Sequence, residues 1–180
     1  AATVSDAALV YACIAGPDAR DPNTFAQPPV SLADWDRTDL HGLRLGIYRP
    51  WFEHAALEIV EDCNVMVDRL VEMGATVVEV EIPELDEMRV AQASTILTEM
   101  AANMAAYGEH WSELSPPTRV NLTLGRATTS HDYLQAQRVR TRALGHFRRA
   151  LAACDVILTP ATAVTAPVVP DNCEADGWSG

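Results

Sequence analysis

The sequence predicts an α/β fold in which helices flank a mostly parallel, mixed sheet, and three observations carry that prediction. The run "LRLGIY" (43–48) reads as a short strand, and "TVVEVEI" (76–82) alternates as a strand does before Pro83 closes it. Between them, "EHAALEIVEDCNVMVDRLVEMG" (53–74) is amphipathic with helical period, placing Leu57, Val60, Val67, Leu70 and Val71 on one stripe before Gly74 ends it. Strand, helix and strand at this spacing form a βαβ unit, whose two strands are parallel and whose crossover is almost always right-handed. "DVILTP" (155–160) then follows a long helical pattern and reads as a third strand.

The remaining elements follow in order. Thr3-x-x-Asp6 has the form of a capping box, the apolar run Ala7 to Ile14 follows, and "AGP" (15–17) stops that helix. Residues 17–41 are rich in Pro and Asp without a sustained period and read as a long loop. Within "TVVEVEI", Val78, Val80 and Ile82 fall on one face. Leu85 to Tyr107 is a second helical stretch, "ELSPPTR" (113–119) a break, and Val120 to Thr128 a short helix. Ser130 is expected to cap a helix from His131 to about Ala153.

Bulk composition narrows the function. At 180 residues the expectation is a single domain, 1–180, able to bury roughly 70% of its unfolded surface without disulfides or metal. The net charge of −12 argues against nucleic-acid binding, which needs a basic face. The basic concentration Arg138, Arg140, Arg142, Arg148 and Arg149 lies on one helical stretch and reads first as a solvated face. No apolar run approaches the ~20 residues of a membrane span, and no leader-like segment is visible at the start. Cys13, Cys63, Cys154 and Cys173 lack metal spacing; the first three read as core residues, which suggests a reducing, cytoplasmic setting.

The search for chemistry is mostly negative. His41, His54, His110, His131 and His146 make no short ligand pattern, so no metal is expected. Ser130, His131 and Asp132 are adjacent, whereas a catalytic array must converge in space. The scattered glycines form no phosphate or dinucleotide loop, so no cofactor is expected. Glu61–Asp62 and Asp86–Glu87 read as solvated charge, and Met66, Met73, Met88, Met100 and Met104 as core filler. All thirteen cationic residues are Arg, so a lysine base or Schiff base is excluded within this chain.

Five stretches, in order, resemble the amidase signature family: "TVSDAALVYACIAGPDARDP" (3–22), "GLRLGIYRPWF" (42–52), "LVEMGATVVEVEIP" (70–83), "DYLQAQRVR" (132–140) and "DVILTPATAVTAP" (155–167). The resemblance implies part of the amidase signature fold. It also implies hydrolysis of carboxylic amide C–N bonds by a Ser–cis-Ser–Lys triad, with backbone N–H groups holding the oxyanion. This chain has no lysine and no Gly/Ser-rich run, so the triad is expected outside it and no catalytic residue is assigned within it. Both ends read as cut, and 1–180 is expected to be an incomplete, C-terminal-half portion of an amidase domain, inactive alone.

Thr159, Pro160 and Thr162 follow the third strand at a carboxyl end, where they are candidates for lining a substrate cleft; the alternative is that they only end a strand. A small-molecule amide is the expected partner, without nucleic acid or membrane, and a homodimer is compatible with the sequence. "SHDYLQAQ" departs from the Tyr-Tyr-Asp-Ala-Tyr-like run of tRNA-dependent amidotransferase subunits, favouring a general small-amide or acyl-amide hydrolase. The rival reading is a non-catalytic relative that binds a small molecule or protein.

Overall fold

The computed structural model describes residues 1–33, 36 and 38–168, so Cys173 lies outside the described residues. The chain divides into two compact units, Ala1–Asp39 and Leu40–Gly180.

The first unit holds α1 (Val4–Ile14), whose Thr3 cap forms the expected capping box: Thr3 Oγ1 accepts from the Asp6 N–H and the Asp6 carboxylate accepts from the Thr3 N–H. None of its residues is buried, so Cys13 is not the core residue expected. A helix apolar around its whole circumference does not by itself say which face is inner. The following loop folds back locally, with Thr24 Oγ1 accepting from the Asp18 N–H at 2.9 Å and Asp18 pairing with Arg20.

The second unit is built on three parallel strands: β1 (Arg44–Ile47), β2 (Thr76–Glu79) and β3 (Val156–Leu158), in the order β2-β1-β3. This is the parallel part of the expected sheet. Between β1 and β2 come α2 (Arg49–Phe52) and α3 (Leu57–Glu72); between β2 and β3 come α4 (Leu85–Asn103), a 3-10 segment (Met104–Glu113), α5 (Pro116–Ala127) and α6 (Ser130–Ala153). The path moves outward from β1 to β2 and then back past β1 to β3. Two crossovers of one hand running in opposite directions must put their helices on opposite faces.

The side chains agree. Ile47, Val77 and Leu158 pack with Phe52, Val60, Cys63 and Val67 on the α3 face. Their sequence neighbours Tyr48, Val78 and Ile157 pack with Val80, Ile82, Phe147, Ala150 and Cys154 on the α6 face. The period-two alternation of a strand sorts each pair to opposite sides. Gly46 is fixed by this packing: a Cβ there would lie 2.4 Å from the Cys154 sulfur.

Several boundaries differ from the sequence reading, each for a local reason. The expected helix 53–74 is the shorter α3, which starts only at Leu57 after a turn, and a separate short helix, α2, with Pro50 in its first turn, precedes it. Its buried stripe is Val60 and Val67 with Cys63 half-buried, while Leu57 (70% exposed) and Val71 face out. Met66 and Met73 are also exposed, and neither fills the core. The helix expected to Tyr107 ends at Asn103 and tightens into the 3-10 segment. α5 starts at Pro116 rather than Val120: Ser115 caps it, and Pro in the first turn lacks only an N–H that has no partner there anyway. The cap of α6 is Thr129 rather than Ser130, because Thr129 lies three residues before Asp132 and closes a capping box with it.

Candidate functional site

Parallel α/β sheets expose their working loops at the carboxyl ends of the strands, most usefully where strand order reverses. Here that point lies between β1 and β3, since the chain leaves β1 toward β2 and returns to β3 on the other side. Thr159, Pro160 and Thr162 follow β3 at this edge, with Thr159 and Thr162 exposed and Pro160 half-buried. The Ala56 N–H, at the start of α3, donates to the Ala163 carbonyl at 2.8 Å and pins the loop beside that helix. Among the described residues neither Thr159 nor Thr162 has its hydroxyl engaged, whereas Thr95, Thr123 and Thr141 each donate to a carbonyl four residues back. The two strand-end loops are thus tied by backbone, and two hydroxyls are left available.

The opposite edge is closed by charge. Arg44 donates to Asp155 twice from its guanidinium, at 2.9 and 3.2 Å, and again from its backbone N–H at 2.8 Å. The Asp155 N–H returns a bond to the Arg44 carbonyl at 2.9 Å. These Arg44 contacts hold the Asp155 carboxyl below the usual aspartate range. Asp155 therefore sets the register of β3 on β1.

A second recess lies between α4 and α6. It is a cleft of about 420 Å³ with an apolar floor that includes Met88, Ala91, Val139 and Phe147, and Glu99 and Arg140 bring charge to its wall. Tyr133 donates to Glu99 at 2.9 Å, which pushes the Tyr133 phenol above its usual range, and Gln137 donates to Thr95 at 3.1 Å. Thr159, Pro160 and Thr162 do not line this cleft. Sequence reading missed it. The available signal was the pair Ala136 and Ala143 at seven-residue spacing, small residues that let α6 approach α4 closely.

The expected adjacency of Ser130, His131 and Asp132 is structural: Ser130 and His131 are exposed, and Asp132 is held low in pKa by its bonds from Thr129. Of the basic row, Arg142 pairs with Glu84 at 2.9 Å, Arg140 donates to Gln137, and Arg149 bonds the His146 ring. Among the described residues no cluster of three His, Cys, Asp or Glu could hold a metal, no polar or charged residue is buried, and no helix is long and apolar enough to cross a membrane.

These features define a parallel α/β segment with its hydroxyl-bearing loop at the carboxyl edge. The amidase family matches residues 1–176. The chain is 37% identical over 186 aligned residues to a fatty acid amide hydrolase of Medicago truncatula, covering 98% of this chain and 30% of that protein. It is 33% identical to one glutamyl-tRNA(Gln) amidotransferase subunit of Cutibacterium acnes, covering 92% of this chain and 39% of the relative. A solved chain from a vestigial protein complex tied to the origins of an s-triazine catabolic enzyme superposes with a TM-score of 0.78 at 24% identity, over 90% of this chain and 35% of its own, and shows the shared fold. The chain belongs to the amidase family, the amidase signature enzymes, and spans 30 to 39% of the length of these relatives.

Proposed function

We propose that the full-length protein hydrolyses carboxylic amide C–N bonds, and that this segment supplies scaffold and one wall of the substrate cleft within a single domain that includes residues 1–180. The observation that carries this reading is the family match over residues 1–176, joined to 37% identity with a fatty acid amide hydrolase along almost the whole chain. On this reading a Ser–cis-Ser–Lys triad lies outside the segment, which is in keeping with a chain that contains no lysine. Thr159, Pro160 and Thr162 then face the bound amide from the carboxyl edge of the sheet. The two hydroxyls orient it, and the proline fixes the backbone between them. The substrate is a small amide or acyl amide, and the protein works in the cytoplasm without a cofactor.

The test is release of ammonia or amine from a panel of acyl, aryl and peptide amides by the full-length gene product and, separately, by residues 1–180 alone. Turnover by the first and none by the second is expected. Enzymatic rates from the segment alone would place the chemistry inside it and overturn this reading. Binding of amides by the full-length protein without turnover would leave the non-catalytic alternative.

A further inference from the structure

The geometry points to Glu84 as a latch that holds the first turn of α4 against α6 and can release it. Among the described residues Glu84 is the one non-glycine residue with left-handed backbone, at φ 63° and ψ 29°. In that conformation the Cβ of an L-residue crowds the following carbonyl. Such residues persist where their surroundings over-determine them, and they gather at clamps and switches.

Glu84 stands at the N-cap of α4 yet makes no side-chain cap bond. Its carboxylate instead reaches α6, where Arg142 Nε donates to Oε2 at 2.9 Å and His146 Nε2 stands 3.7 Å from the same oxygen. Arg142 and His146 are one helical turn apart and share a face. The Arg142 guanidinium holds the Glu84 carboxyl below the usual glutamate range, so the grip is charged at neutral pH.

The grip is also one contact short of closed. His146 has a side chain only 13% exposed, its Nδ1 bonds Arg149, and its Nε2 is buried with no hydrogen-bond partner. A separation of 3.7 Å is beyond hydrogen-bond range, and an unsatisfied buried nitrogen carries a cost. Arg142, His146 and Arg149 meet Glu84 from α6, and on its other side Tyr48, His54, Asp86, Glu87 and Arg89 line a recess with it, where Arg89 bonds His54 and Asp86. One end of the cleft between α4 and α6 lies next to it: Met88 follows Glu84 by one turn, and Phe147 follows His146. Releasing the carboxylate lets Glu84 leave the left-handed conformation and lets the first turn of α4 lift, which opens that end of the cleft.

Amide hydrogen exchange on the full-length protein tests this directly. Glu84→Gln keeps the size and removes the charge; Arg142→Gln breaks the same contact from α6. Each is expected to speed exchange of the amides of residues 88–92 about tenfold while leaving the β1 amides of residues 45–47 unchanged. The double variant should exchange no faster than either single one, as expected for one shared contact. Unchanged exchange at residues 88–92 in both variants, additive effects in the double variant, or an equal rise in β1 would each overturn the latch. If Glu84→Gln fails to fold, Arg142→Gln decides alone.

Discussion

The two helical layers of Leu40–Gly180 meet their neighbours by different means. On the α3 face, large side chains interlock: Ile47 and Phe52 are almost fully buried, and Val60 and Val67 close over them. In the α4–α5–α6 layer the buried residues are mostly small, set around one large side chain, Leu122 of α5. Ala91, Ala101, Gly125 and Ala136 are buried there, and a Cβ on Gly125 would fall 2.0 Å from the Leu97 carbonyl oxygen. The first face is held by apolar area, and the second by how closely backbones approach. The two should fail differently when altered, the first by losing volume and the second by gaining it.

The largest expected effect is on the first face. Phe52→Ala removes a buried ring beside Ile47 and should lower stability by about 3–5 kcal/mol, read from the denaturation midpoint of the full-length protein. A loss below about 1 kcal/mol would show that the α3 face does not depend on that volume. Next comes the small-residue layer. Gly125→Ala should cost about 1–3 kcal/mol through overpacking, because the obstructing atom is backbone rather than a movable side chain. Ile47→Leu, a volume-conserving change on the α3 face, should cost less than about 1.5 kcal/mol. If Gly125→Ala proved the milder of the two, the contrast between the layers would collapse. Smaller still is the start of α6. Thr129→Ala removes the observed cap and should cost about 1 kcal/mol, whereas Ser130→Ala should stay within about 0.5 kcal/mol.

The same contrast explains what could be read from the residues. The sheet was legible because large apolar residues at a period of two leave a strong pattern: β1, β2 and β3 follow it, and Val78, Val80 and Ile82 share the α6 face as it predicts. The small-residue layer was not, since alanine is common on any helix and its burial depends on a partner far away in sequence. The helix starts missed at Pro116 and Thr129 turned on single cap residues, where a neighbouring Ser or Pro offers a competing choice. For the candidate site, Thr159, Pro160 and Thr162 do stand at the strand end that "DVILTP" pointed to. The Ala56–Ala163 hydrogen bond beside them joins residues more than a hundred positions apart, and no local pattern announces it. Glu84 is a further case, because left-handed glutamate is not a choice that composition suggests.

The last prediction concerns the edge that joins the sheet and tests whether charge adds to the apolar packing there. Asp155 has its pKa lowered by Arg44, first through the side-chain hydrogen bonds and then through the Arg44 backbone N–H. A carboxyl lowered on folding is charged more readily in the native state than in the unfolded one, so the unfolded chain binds the extra proton as pH falls. The stabilisation is therefore present in full above the ordinary aspartate pKa of about 3.9 and is lost as pH drops below it. Both partners are partly exposed, so solvent and salt keep the effect small, below that of the Thr129 cap. Asp155→Asn should lower stability slightly at pH 7 and flatten its fall in acid, and the difference between variant and parent should narrow as pH descends from about 5 toward about 2. Curves that stay parallel across that interval would mean that Asp155 sets register through its backbone bond to Arg44 alone, leaving this edge, like the α3 face, to be held by shape rather than charge.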